Sequence, residues 1–228
     1  MQKAIIFDFE GTLTKKNQNI WKMLWEICGY ETDKSSLYSK LYVGFVVNKK
    51  ITREECFNLT CEAFKNKNLS YSQLYSVSKS IELTDRAKEL ILKLYNSGYK
   101  LFIVSGSIID TIELVLGDYV KYFEAIEANK CVFDSNGKLQ KLILTDYDYE
   151  GKAKFIELLK EQGYTKDNIV FIGNGYNDEW AYKTGCLTIC FKPIDDDINN
   201  LNKRQSDIYK KQDSHNPKNL YNVCKKLR

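Results

Sequence analysis

Four short apolar runs, at residues 3–9, 99–104, 168–172 and 187–191, each stop abruptly at small or polar residues. Their length and β-branching favour strands buried on both faces over helix segments. Between them lie patterns with helical spacing. Thr84 is placed to cap a helix that carries Ala87, Leu90, Ile91 and Leu94 on one face and stops at Asn96-Ser97-Gly98. A second helix pattern follows Ser107, with Ile108, Ile112, Val115 and Leu116 in register. A third runs over 152–162 and ends at Gly163. Strands alternating with helices predict an α/β fold: a Rossmann-like parallel sheet covered on both faces.

One stretch breaks the rhythm. Residues 15–83 carry helix signals and no convincing strand. Ile20, Met23, Leu24 and Ile27 mark one helix. Thr52-Arg53-Glu54-Glu55 and Ser70-Tyr71-Ser72-Gln73 each have the form of a capping box that opens another. A helical insert therefore follows the first strand. Trp21, Trp25, Tyr30, Tyr38 and Tyr42 within it are read as its own core rather than as a substrate platform. Ile208, Tyr209, Leu220, Val223 and Leu227 leave room for a final short strand and helix in a polar C-terminal stretch.

Composition narrows the chemistry. At 228 residues and 43% hydrophobic, the chain is large enough to bury a proper core, with room for one insert. A net charge of +4 with scattered basic residues is compatible with small anions and too weak to argue for nucleic acid, and no nucleic-acid partner is expected. Seven cysteines without a CxxC pair, and a single histidine, His215, give no zinc constellation and read as reduced core thiols. The lone histidine also leaves no Ser-His-Asp or Cys-His mechanism. No run approaches the roughly 20 apolar residues of a membrane span, and no signal peptide opens the chain. The expectation is a cytoplasmic protein with no membrane partner, a monomer or homodimer.

In an open parallel sheet, ligands bind where the strands end. The first run ends in Asp8-Phe9-Glu10-Gly11-Thr12-Leu13-Thr14, the second in Ser105-Gly106-Ser107, and the run at 168–172 in Gly173-Asn174-Gly175-Tyr176-Asn177-Asp178. Lys152 opens the helix between the last two, in competition with Lys154. Carboxylate and amide oxygens suit a hard cation such as Mg²⁺. Ser105, with backbone N–H groups beside the glycines, suits phosphate oxygens, and a lysine serves phosphate as a point charge. A carboxylate beside Mg²⁺ can attack phosphorus, and a second acid two residues on can protonate the leaving oxygen.

The order DxxGTLT, SGS, GK, GxGxND resembles the haloacid dehalogenase superfamily of Mg²⁺-dependent phosphatases, in its phosphoserine-phosphatase-like branch (subfamily IB). The resemblance implies a core of residues 1–14 and 84–228 and a C1-type helical cap of residues 15–83. It implies Asp8 as nucleophile and metal ligand, and Glu10 as acid/base whose backbone carbonyl also binds metal. Ser105, Gly106 and Lys152 match the phosphate-binding set, and Asn174 and Asp178 the metal-binding motif. The implied reaction is hydrolysis of a small phosphorylated metabolite through an aspartyl-phosphate. A weakened phosphate- or partner-binding protein and a phosphotransferase stand as alternatives.

Two positions depart from the family pattern, which has Asp where this chain has Glu10 and Asn174. Glu10 keeps the acid on a longer arm. Asn174 keeps an oxygen but removes a negative charge, so Mg²⁺ should bind more weakly. After the first motif, Lys15-Lys16-Asn17-Gln18-Asn19 offers no acid to an ammonium, which argues against phosphoserine. Lys15 and Lys16 are expected near the site mouth. Arg53 is either a substrate contact or an exposed helix start. Asn177 is read as a support for its loop.

Overall fold

The computed structural model describes residues 3–47 and 50–191. The C-terminal strand and helix pattern and His215 lie outside the described residues. A six-stranded sheet runs in the order β4-β3-β2-β1-β5-β6. Its strands are β1 (Ala4–Phe7), β2 (Lys100–Ile108), β3 (Phe123–Phe133), β4 (Leu139–Ile143), β5 (Ile169–Gly173) and β6 (Leu187–Cys190). β1 lies at the centre, parallel to β2 and β5. The chain builds one side of the sheet from β1, then returns to build the other. The loop after β1 therefore sits at the switch point, where an open α/β sheet has its crevice.

All four residues of β1 are buried. Ile5 and Phe7 pack into one hydrophobic cluster with Leu90, Leu94 and Ile112. Ala4 and Ile6 pack into the other with Ile156, Phe171 and Ala181. This two-faced burial is why the run shows no polar alternation.

The sheet departs from an all-parallel one at an edge. β3 and β4 pair antiparallel, with Cys131 opposite Leu142. β4 is the edge strand and β3 its neighbour, and the two carry Glu124, Glu127, Lys130 and Lys141 among their apolar residues, which suits a half-solvated hairpin and hides it from a search for apolar runs.

The helices of the 15–83 stretch are α1 (Ile20–Ile27), α2 (Leu37–Tyr42), α3 (Arg53–Asn66) and α4 (Tyr71–Ser80). Both capping boxes form: Thr52 with Glu55, and Ser70 with Gln73. The core helices are α5 (Ala87–Asn96), α6 (Ile109–Leu116), α7 (Glu150–Glu161) and the short α8 (Glu179–Lys183). Thr84 does not cap α5 through its side chain. Its carbonyl accepts from Ala87 N at 3.0 Å, and Arg86, at φ +62°, holds the N-cap position instead.

Candidate active site

The loop after β1 is shaped to present side chains. Asp8 N donates to Ile172 O at 2.8 Å, which carries the β1–β5 ladder one residue beyond the strand. The next residues make one wide turn, closed by Thr14 N on Phe9 O at 3.1 Å, with Gly11 at φ +73°. A Cβ on Gly11 would stand 2.3 Å from Asn174 Nδ2, so glycine is what lets the loop after β5 close on this turn. Thr12 Oγ1 donates to Asn174 Oδ1 at 3.3 Å across the same contact.

Ser105, Gly106 and Ser107 sit in an irregularity of β2, where the pairing with β3 jumps from Val104–Glu127 to Ile108–Asn129. Such a bulge re-aims side chains at the end of a strand. The Gly106 carbonyl is pinned from two sides, by Asn129 Nδ2 at 2.7 Å and by Trp21 Nε1 of α1 at 2.9 Å. A Cβ on Gly106 would overlap the Asp148 carboxylate, so only glycine admits that acid here.

Lys152, in the first turn of α7, is fully buried. Its Nζ donates to Asp178 Oδ1 at 2.5 Å and lies 3.3 Å from Asp8 Oδ1. Asp178 is anchored in turn, because its Oδ2 accepts the amides of Asn174 and Gly175, both at 2.8 Å. Burial works against the Lys152 ammonium, and the carboxylates of Asp178 and Asp8 more than offset it, so its pKa is raised. Burial pushes the Asp8 carboxyl up to about 6, with Lys152 opposing the rise. Asp8 is then largely ionised at neutral pH. Lys154 is exposed and binds Asp146 at 2.5 Å, away from the site. Removing one member of a buried ionic set costs about 3–5 kcal/mol, so this triad is held firmly once formed.

Glu10 uses its longer arm. Its Oε2 accepts Ile20 N, at the start of α1, at 3.1 Å. Burial pushes its carboxyl up to about 8, outweighing the Ser107 hydroxyl and the Ile20 N–H, which favour the charged form. An acid that keeps its proton at neutral pH is suited to donate it to a leaving group.

Oxygens that could hold a cation at the cavity wall are those of the Asp8 carboxylate and the Asn174 amide. Asp178 stands behind them with both oxygens already engaged. Among the described residues, no cluster of three or more His, Cys, Asp or Glu forms a metal-binding group. Hard, mixed carboxylate and amide oxygens of low total charge fit Mg²⁺, which takes few protein ligands and keeps waters.

A cavity of about 290 Å³ opens over this set, lined by Asp8, Glu10, Ser105, Gly106 and Asn174 from one side and by aromatic residues of the 15–83 stretch from the other. Trp25 is both core and lining: it packs against Tyr30 and Phe64 while bordering the cavity. Arg53 turns out to be neither a solvated helix start nor a lining residue. Its guanidinium holds Asp146 at 3.2 Å and Asp148 at 3.1 Å, tying α3 to the loop before α7. Lys15 pairs with Glu82 at the surface and does not line the cavity. Asn177 Nδ2 donates to Asp148 O at 2.9 Å, a loop-supporting contact that leaves the residue at the cavity wall. Asp148, Asn129 and Trp21 were not among the residues expected at the site. The acids of Asp146-Tyr147-Asp148, just ahead of Gly151-Lys152, were the available signal for the first. Asn129 and Trp21 act through a backbone carbonyl, which leaves no motif.

A family model described as haloacid dehalogenase-like hydrolase matches residues 2–184. The chain belongs to the haloacid dehalogenase-like hydrolase family. Within that family it stands in the phosphoserine-phosphatase-like branch. It is similar to the phosphoserine phosphatase of Methanocaldococcus jannaschii, 28% identical over 201 residues, covering 85% of this chain and 88% of that one. It is also similar to the phosphoserine phosphatase of Archaeoglobus fulgidus, 27% identical over 195 residues and 83% of this chain. The chain spans about half the length of that relative, 52%. Among solved structures, a phospho-aspartyl intermediate analogue of a phosphoserine phosphatase superposes with a TM-score of 0.72 at 21% identity, covering 98% of each chain, which shows the shared fold. No helix among the described residues is long and apolar enough to cross a membrane.

Proposed function

We propose that this haloacid dehalogenase-like hydrolase is a Mg²⁺-dependent phosphomonoesterase that works through a phosphoryl group on Asp8. The observation that carries the reading is the buried juxtaposition of Asp8, Lys152 and Asp178 beside an acid, Glu10, that holds its proton. Ser105, Gly106 and Lys152 receive the phosphate oxygens. Lys152 also orients the Asp8 carboxylate, whose oxygen attacks phosphorus as the ester oxygen leaves. Glu10 gives that oxygen its proton and, as carboxylate, later takes one from the water that releases phosphate. A cation held by Asp8, the Glu10 carbonyl and Asn174, with Asp178 behind, would offset the charge of the phosphate and favour in-line attack. Residues 15–83 act as a cap over a core of 1–14 and 84–228, and the cap's contribution to the cavity wall supports that division. The departures at Glu10 and Asn174 from the family's usual aspartates retune this machinery without removing a part of it.

The test is phosphate release from an aryl phosphate with and without Mg²⁺, on the native chain and on Asp8→Asn. Release that needs both Mg²⁺ and Asp8 is expected. Phosphate binding without turnover would favour a binding protein on the same fold. Turnover that rises with added alcohols, together with alcohol-derived phosphoesters, would favour a phosphotransferase.

A further inference from the structure

The cavity over Asp8 has two unlike halves. The sheet half carries the phosphate-directed residues. The other half is built of rings: Trp21, Trp25, Tyr38, Phe45 and Phe57, with Tyr149 from the loop before α7. These rings are packed against one another. Trp21 meets Phe57 edge to face at 5.2 Å and 79°, and Phe45 meets Tyr149 at 5.8 Å and 86°. The polar residues of the insert that reach the cavity, Asn17, Gln18, Asn19 and Thr60, are uncharged.

Among the described lining residues the ionisable acids are Asp8, Glu10 and Asp148, and no lysine or arginine is present. Asp148 is cancelled by Arg53 at 3.1 Å. Arg53 is itself held by two carboxylates, and its guanidinium lies 5.8 Å from the Phe57 ring centre. A carboxylate on the leaving group would find no lysine or arginine among the described lining residues, and an ammonium would compete with Arg53 for Asp148. Placing a carboxylate against these rings without a partner is costly, whereas a quaternary ammonium would gain cation–π attraction from them, so a cationic alcohol is the competitor that an ester comparison has to separate. An apolar ring placed there is instead favoured by burial and by edge-to-face contact. The space suffices: a dry cavity of roughly 150 Å³ admits benzene, and this one is about 290 Å³.

Resting on the phosphatase reading above, we propose that the ester this site takes is the phosphate of an uncharged alcohol bearing an aromatic ring, rather than of a zwitterionic or cationic alcohol. The ring lies among Trp21, Phe45 and Phe57, and the phosphate at Ser105 and Gly106, with Lys152 behind Asp8. The neutral amides of Asn17 to Asn19 stand where an ammonium-binding acid is absent.

The experiment compares 2-phenylethyl phosphate, propyl phosphate, phosphoserine and phosphocholine on the native chain with Mg²⁺. All four are esters of primary alcohols, so the alcohol's body is the main variable. The expected kcat/KM for the phenylethyl ester exceeds each of the others by roughly 10- to 100-fold, the worth of burying one ring, with most of the gain in KM. Phe45→Ala, and the milder Phe45→Leu should Phe45→Ala fail to melt cooperatively, shrink the phenylethyl-to-propyl ratio at least several-fold. A ratio near one in the native chain, or phosphoserine or phosphocholine as the best ester, overturns the inference and leaves the phosphatase reading standing. If no ester turns over, binding is read from tryptophan fluorescence. Phenylethyl phosphate binding at least about 10-fold tighter than the others upholds the aromatic preference while the phosphatase reading fails. Equal or absent binding overturns both.

Discussion

Glu10 holds two positions at once. It is the second acid of the loop after β1, and its carboxylate reaches the first N–H of α1 at 3.1 Å. A shorter aspartate would trade that reach for a different approach to the leaving oxygen. Glu10→Gln is expected to lower turnover by about 10² to 10⁴-fold, the range for losing general acid–base catalysis. Esters of poor leaving groups suffer most, and stopped-flow on an aryl phosphate shows a burst as dephosphorylation slows. Hydrolysis of a poor-leaving-group ester at the native rate would make the side chain idle and favour a retired enzyme. Glu10→Asp separates geometry from chemistry: with α1 seated on the glutamate, turnover falls, whereas a rise would show the longer arm to be a handicap. Asn174 poses the charge question. Its amide packs on Gly11 and receives Thr12 Oγ1, at the wall of the cavity where the cation is proposed. Asn174→Asp adds a negative charge there, so the Mg²⁺ concentration for half-maximal rate should fall. An unchanged or raised value would remove Asn174 from the metal's ligands.

At the scale of elements, α3 is the part of the insert tied to the core by ion pairs near the site. Arg53 reaches Asp146 and Asp148 from the first turn. The Asp146 carboxylate is exposed and contributes little on its own, while the Asp148 pair is mostly shielded. Arg53→Gln is expected to raise KM roughly fivefold, matching about 1 kcal/mol of lost contact, and to speed hydrogen exchange in the first turns of α3. Unchanged KM and exchange would mean that the insert stays closed without this tie. Much of this element was legible beforehand. Thr52-x-x-Glu55 and Ser70-x-x-Gln73 are local signals, and both boxes form as read. Thr84 misled because a threonine before a helical face has the same local form whether its side chain or its carbonyl meets the first N–H. The partner of Arg53 lies about ninety residues away, as its 93-residue separation from Asp146 shows, and no local pattern encodes such a pairing.

For the molecule as a whole, the central sheet was readable because β1, β2 and β5 are buried on both faces and leave continuous apolar runs. β3 and β4 were not, since their half-solvated hairpin mixes charges into the apolar pattern. The order of motifs along the chain indicated which loops meet, and the switch point at β1 gives the physical reason they do. What the linear chain could not show is that the 15–83 helices wall the same cavity with rings. Ring placement depends on packing between α1, α2 and α3, not on spacing within any one of them.

Every chemical step proposed for this site runs through a phosphoryl group on Asp8. The direct measurement is to quench the Mg²⁺-loaded protein while it turns over a phosphomonoester, reduce any acyl phosphate with borohydride, and map the product by mass spectrometry. Reduction at Asp8 is expected, absent from Asp8→Asn and from protein quenched without substrate. Reduction at another residue, or Asp8→Asn turning over at the native rate, would contradict it.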